Sequence, residues 1–336
     1  MLRRLRIDPY LIALLCTVGL ASVLPARGAW ATGAGYATTV AIGMLFFLYG
    51  ARLSPQAALE GLRHWRLHGT VFAATFVLFP LLGLAVLLLP PAVLPRELAI
   101  GVLFLCCLPS TVQSSIAFTS IARGNVPAAI CAASFSNLAG IVLTPLLVGL
   151  LISVHGGFSG GALLDITLQL LLPFLLGQLL RPFIGGWITR HKRILGFVDR
   201  GSILLVVYTA FSEGVVAGIW GQLSLSALAV LLGVDAALLA VVLTVTAVGS
   251  RMLGFSREDR ITIQFCGSKK SLASGLPMAS VLFAGQAGAI AGLVVLPLML
   301  FHQLQLMVCA WLAQRHAHTA ATGPAVPAES VASTTA

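Results

Sequence analysis

Gln264-Phe265-Cys266-Gly267-Ser268-Lys269-Lys270-Ser271-Leu272-Ala273-Ser274-Gly275-Leu276-Pro277-Met278 lies inside an apolar segment running from about residue 260 to about residue 283. A helix needs roughly 20 apolar residues to cross the hydrocarbon. A span that began only after the lysines would have about a dozen residues before the Ala284-Gly285-Gln286 loop, which is too few. Lys269 and Lys270 therefore fall near mid-membrane, where a lysine costs roughly 2.5–3.5 kcal/mol on insertion scales and marks function. Gly267 and Gly275 loosen the helix, Pro277 breaks it, and Ser268, Ser271 and Ser274 supply hydroxyls. Irregular backbone at this depth survives only when it is buried in protein or lines a wet cavity. A broken helix with charge at its break is a device by which transporters hold a solute. Gly267, Ser268, Lys269, Lys270 and Ser271 are thus candidate binding residues.

The rest of the chain agrees with a membrane setting. Of 336 residues, 58% are hydrophobic and only 9% are charged, against about 25% charged in a soluble domain. The six cysteines, Cys16, Cys106, Cys107, Cys131, Cys266 and Cys309, all fall in apolar segments without metal-ligand spacing, and read as small core residues. The sequence holds no P-loop, HExxH or GxSxG pattern, and no paired aspartates with flanking glycines, so neither ATP drive nor an enzyme is expected.

Apolar spans fall at about residues 9–24, 35–51, 69–90, 97–121, 126–153, 163–184, 201–220, 226–249, 260–283 and 287–312. The basic start, Met1 to Ile7, precedes a retained first helix and not a cleaved signal peptide, because further spans follow directly. Residues 1–313 form one polytopic unit with short connections. The Ala/Thr/Pro/Ser-rich stretch 314–336 reads as a disordered tail. With the N-terminus inside, the outer loops carry only Arg27 and Arg96. Every other lysine and arginine, apart from Lys269 and Lys270, falls on the inner side. This bias places both termini in the cytoplasm. It also explains the formal charge of +10 as a topology signal and not a nucleic-acid footprint. The spare sequence style suits a bacterial inner membrane.

Ten spans divide into two sets of five, about residues 8–153 and 163–312, and an odd set reverses orientation when repeated. The expected fold is an all-α membrane protein of ten transmembrane helices in two inverted five-helix repeats. The fourth and ninth spans are both interrupted midway, at Leu108-Pro109-Ser110-Thr111 and at Gly267-Ser268-Lys269-Lys270. Interrupted segments in matching positions of two halves point to the binding site. In the fourth span Pro109 frees carbonyls about a turn earlier. With Thr111, Gln113, Ser114 and Ser115 it makes an oxygen-rich spot that suits a hard cation or a hydrogen-bonding solute.

These two stretches and the spacing of the ten spans resemble the bile acid:sodium symporter family, solute carrier family 10. Pro109 matches the motif proline, and Ser114-Ser115 stand where that family usually has Ser-Asn. The Ala122-Arg123-Gly124-Asn125 turn is also similar. The run from Phe265 to Gly275 is most similar to the member 7 branch and its bacterial relatives. The resemblance covers about residues 8–313. It implies a core domain, built around two crossed discontinuous helices, and a panel domain against which the core moves.

Several positions depart from the pattern of the sodium-coupled members. Phe265 stands where they carry an acidic residue, and Lys269-Lys270 where they carry Gln-Asn. Ala129 and Ala133 replace hydroxyl residues, and Thr75 replaces a glutamine. The resemblance therefore implies a depleted sodium cage, any remaining sodium lying near Gln113, Ser114 and Ser115. One lysine is expected to substitute for the ion or to cycle a proton, and no other cofactor is expected.

Among other polar groups inside spans, Glu213 is the candidate counter-charge for a lysine, since a buried ion is usually paired. Asn137 is a candidate to face the crossing, and His302 reads as a satisfied core histidine. The expected function is secondary transport of a small organic anion across the bilayer by alternating access. Cationic lysines and helix N-termini at the breaks favour negative charge. Because adjacent helical residues point in different directions, one lysine is expected to meet solute while the other pairs internally. The alternative is a non-transporting membrane regulator of ion homeostasis, calcium in particular, as the member 7 resemblance implies.

Overall fold

The computed structural model describes residues 9–52, 64–153, 160–216, 218, 224–283 and 290–321. The described secondary structure is helical, with no strand. The elements are α1 (Pro9–Val23), α2 (Ala29–Arg52), α3 (Trp65–Val86), α4 (Arg96–Cys107), α5 (Gln113–Ile121), α6 (Val126–Ser153), α7 (Gly160–Arg190), α8 (Lys192–Val216), α9 (Leu225–Met252), α10 (Arg257–Gly267), α11 (Leu272–Leu282) and α12 (Ile290–Ala321). Seven of the described helices, or long segments within them, are long and apolar enough to cross a membrane. The expected fourth and ninth spans are each split into two short helices, α4 with α5 and α10 with α11.

Local chemistry accounts for the joints. Leu108 is extended (φ −76°, ψ 155°), as a residue before proline must be. Ser256 caps α10 by accepting from the Asp259 amide, and the first turn of α10 carries Glu258 and Asp259 at its positive end. Ser271 caps α11 by accepting from the Ser274 amide. In α3, a π-helical turn covers Ala74–Leu78, just before Pro80.

The helices pack in two groups. α1, α2, α7 and α8 pack largely on one another, and the remaining helices enclose the breaks. Gly50 and Gly177 hold the first group together. A Cβ on Gly50 would fall 2.0 Å from the Phe174 carbonyl oxygen, and one on Gly177 would fall 2.0 Å from that of Phe47. Small residues let backbones approach where lipid offers no hydrophobic drive for association. Gly50→Ala or Gly177→Ala is therefore expected to destabilise the protein by about 1–3 kcal/mol through overpacking. Gly43→Ala on the same helix meets nothing within 4 Å and serves as the neutral control in detergent unfolding.

Two boundaries differ from the sequence reading. The basic stretch 181–200 is helical, with His191 alone between α7 and α8. Long arginine and lysine side chains can reach water while their backbone stays helical, so charge does not mark a loop there. The last helix continues through Ala321, beyond the composition change at 314, and the proposed tail from 322 onward lies outside the described residues.

Candidate functional site

The two breaks meet each other. The Ser271 amide donates to the Pro109 carbonyl (2.9 Å), and the Ser110 hydroxyl donates to the Cys266 carbonyl (2.6 Å). The Ser115 hydroxyl donates to the Phe265 carbonyl (3.3 Å). Each break thus answers polar backbone that the other leaves open, as buried backbone requires. Residues from α6 complete the joint. The Ser110 amide donates to Ser136 Oγ (3.0 Å), Thr144 Oγ1 to the Cys107 carbonyl (2.8 Å), and the Ser274 hydroxyl to Asn137 Oδ1 (2.8 Å). Gly140 makes room: a Cβ there would lie 2.6 Å from the Pro109 ring.

Lys270 is the centre of this arrangement. Its side chain is fully buried, and Nζ donates to three carbonyls: Thr75 (2.8 Å), Cys106 (2.7 Å) and Leu108 (2.7 Å). Two belong to irregular backbone and one to a helix end. Thr75 sits in the π-turn of α3, Cys106 in the last turn of α4, and Leu108 in the gap before α5. The carbonyl end of α4 is the negative end of its dipole, which favours a cation. The Phe79 ring lies 4.1 Å from Nζ and adds a cation–π contact. The Lys270 backbone is held on both sides by one side chain, Gln305 of α12. Its Oε1 accepts from the Lys270 amide, and its Nε2 donates to the Lys270 carbonyl, both at 2.9 Å. Gln305 Nε2 also lies 2.8 Å from His302 Nδ1.

Lys269 is equally buried but otherwise different. Its Nζ has no hydrogen-bond partner and sits over the Phe118 ring at 3.8 Å, with Phe265 at 5.8 Å. Neither lysine has an ion pair among the described residues.

Around this site, a lysine filling a carbonyl cage where two broken helices touch, nearly the whole chain matches one family. Residues 8–318 match the family model described as the SBF-like CPA transporter family. The chain belongs to that family. It is a membrane transporter by family, and not an enzyme. Its relatives include an uncharacterized protein of Pseudomonas aeruginosa, 58% identical over 315 residues, which are 92% of this chain and 93% of that protein. A protein of Escherichia coli named "Putative symporter YfeH" is 52% identical over 313 residues, again 92% and 93% of the two chains. "Sodium/bile acid cotransporter 7" of Xenopus tropicalis is 29% identical over 320 residues, 92% of this chain and 91% of that one.

Of the residues singled out in sequence, Pro109, Ser115, Asn137, Gly267, Ser268, Lys269, Lys270 and Ser271 are brought together at the joint. Ser268 donates back to the Gln264 carbonyl (2.6 Å) and closes α10. Thr111 and Ser114 share a hydroxyl–hydroxyl contact of 2.8 Å. Gln113 opens α5 and is exposed to a cavity of about 730 Å³ that also reaches α2, α7 and α8. The oxygen-rich spot expected at Gln113-Ser114-Ser115 is thus divided, since the two serines spend their hydroxyls inside the joint while Gln113 faces outward.

Glu213 is a correction. It lies on α8 with an exposed side chain and no ion pair to either lysine. Backbone carbonyls stabilise the Lys270 ammonium instead, and a carbonyl cage leaves no trace in residue identity. Gln305 escaped the sequence reading altogether. Its signal was a glutamine inside an apolar helix, in Phe301-His302-Gln303-Leu304-Gln305, where a buried amide must find partners.

Proposed function

We propose that the protein is a sodium-independent secondary transporter of a small organic anion, with Lys270 standing where a coupling cation would otherwise bind. The observation that carries this reading is the three-carbonyl cage around Nζ. An ammonium tethered to the chain supplies the positive charge that the joint needs and cannot leave with each turnover. Ser114 and Ser115, near which any remaining sodium was expected, are tied to Thr111 and Phe265.

In this reading the ten segments form two inverted five-helix repeats crossing at the breaks. The two packing groups are the bodies that move against each other, α1, α2, α7 and α8 being the panel. The cavity at Gln113 opens between them, consistent with one side of an alternating-access cycle, while the lysines lie sealed behind it. The arginine distribution supports termini on the cytoplasmic side, and the bacterial relatives support an inner-membrane setting.

The test is reconstitution. Liposomes holding only this protein, incubated in the small-molecule fraction of a bacterial extract, are expected to accumulate particular organic anions by mass spectrometry, equally well in sodium and in choline buffers. Liposomes that take up nothing above protein-free controls would favour the alternative, a non-transporting regulator of ion homeostasis. Uptake that needs sodium would overturn the role given to Lys270.

A further inference from the structure

We infer that the cavity beside α5 is a binding site for an organic dianion, of the phosphate-ester or dicarboxylate class, held by Arg181 and Lys192. This rests on the transport reading and names the solute class that it would carry. The cavity is about 730 Å³, inside the range of about 300–1,000 Å³ in which small ligands bind. Its described lining contains three cations and one carboxylate: Arg52, Arg181, Lys192 and Asp199. Arg52 and Asp199 form a salt bridge with each other, which removes one charge of each sign. Arg181 of α7 and Lys192, the first residue of α8, have no ion pair among the described residues and leave two positive charges facing the same space.

The inner wall reinforces that sign. Gln113 is the first residue of α5, a helix of nine residues, so unpaired backbone donors and a positive dipole end border the cavity beside a carboxamide. Thr189 also lines the space, with its hydroxyl donated to the Gly185 carbonyl (2.7 Å) and so adding no donor. Ala51, Pro182 and Ile188 are the only apolar side chains in the described lining. A large apolar body such as a sterol needs a broad hydrophobic and aromatic wall, and this lining does not provide one. A compact solute with two negative charges at one end answers both unpaired cations, as a phosphate monoester does with a charge of about −1.5 to −2 at neutral pH. Arginine's planar fork suits bidentate contact with phosphate or carboxylate, and the lysine adds a point charge.

The experiment uses the full chain in phosphatidylcholine nanodiscs, with phenyl phosphate as the dianionic probe and benzoate as the monoanionic one, at fixed ionic strength. A ligand that binds only the folded state raises the unfolding temperature saturably. Phenyl phosphate is expected to do so at lower concentration than benzoate. Arg181→Gln and Lys192→Gln are each expected to weaken its apparent affinity about tenfold, the worth of one charge-assisted hydrogen bond. Arg193→Gln, which does not line the cavity, is expected to leave it unchanged. No stabilisation by phenyl phosphate, or equal stabilisation in the two cavity variants, would overturn the site. Stabilisation by phosphatidate-containing nanodiscs with none by phenyl phosphate would also overturn it, assigning the two cations to lipid headgroups. The readout is binding alone. A protein that binds phenyl phosphate through these residues but carries nothing into liposomes keeps the site and refutes the transport reading; one that carries solutes without such binding does the reverse.

Discussion

Lys270→Met is expected to cost the folded protein about 3–5 kcal/mol, the range seen when one partner of a buried charged contact is removed. Methionine fills much of the same apolar volume, so the loss is not a cavity effect. It comes from the Thr75, Cys106 and Leu108 carbonyls, which each lose a charge-assisted hydrogen bond in a place that water does not reach. Detergent unfolding, with Gly43→Ala as a neutral reference, reads the effect. Lys270→Arg is expected to fare almost as badly, because a planar guanidinium does not fit three carbonyls arranged around one nitrogen. Unfolding of Lys270→Met within about 1 kcal/mol of wild type, less than the penalty for a single unsatisfied buried group, would show that the ammonium does not tie α3 and α4 to the break between α10 and α11.

Lys269→Met is expected to act in the opposite sense on stability. The Lys269 Nζ finds no hydrogen-bond partner, and the Phe118 face returns only part of what a buried ammonium loses, about 2 kcal/mol for a desolvated cation–π contact. Replacing an unsatisfied buried polar group by an apolar one of similar shape is neutral or stabilising by about 1–3 kcal/mol. Transport in liposomes is nonetheless expected to be abolished, since an unpaired intramembrane charge that weakens the fold is retained for what it does. Two adjacent lysines would then separate cleanly: one removes the fold, the other removes the activity. A Lys269→Met protein that is markedly less stable, or that transports as well as wild type, would contradict this division.

The membrane class, the two interruptions and the placement of Lys269-Lys270 at one of them were all legible in sequence. Each is a matter of which residue types stand where apolar ones are expected, and that information is local. The partner of Lys270 was not legible for the same reason. Thr75, Cys106 and Leu108 contribute main-chain oxygens, which any residue carries, and what selects them is the backbone path through a π-turn and an X-Pro step. The search for a charged partner pointed to Glu213, the acidic residue inside a neighbouring apolar segment, but the helical phase of α8 turns it outward. Gln305 could have been noticed as an amide among aliphatic residues, yet only the fold reveals that its two ends match the N–H and the C=O of one residue, Lys270. Likewise the helical backbone on either side of His191 hides behind a charge cluster that falls between the apolar spans 163–184 and 201–220, and with it the wall of the cavity.

Titrating NaCl against choline chloride at fixed ionic strength, while following the unfolding temperature of the purified protein, tests most directly whether Lys270 has taken the place of a bound cation. A ligand held only by the folded state would raise that temperature saturably. The tethered ammonium predicts that wild-type curves in the two salts superimpose at every concentration. Selective, saturable stabilisation by sodium would mean that a cation site survives at the joint, and would contradict the account.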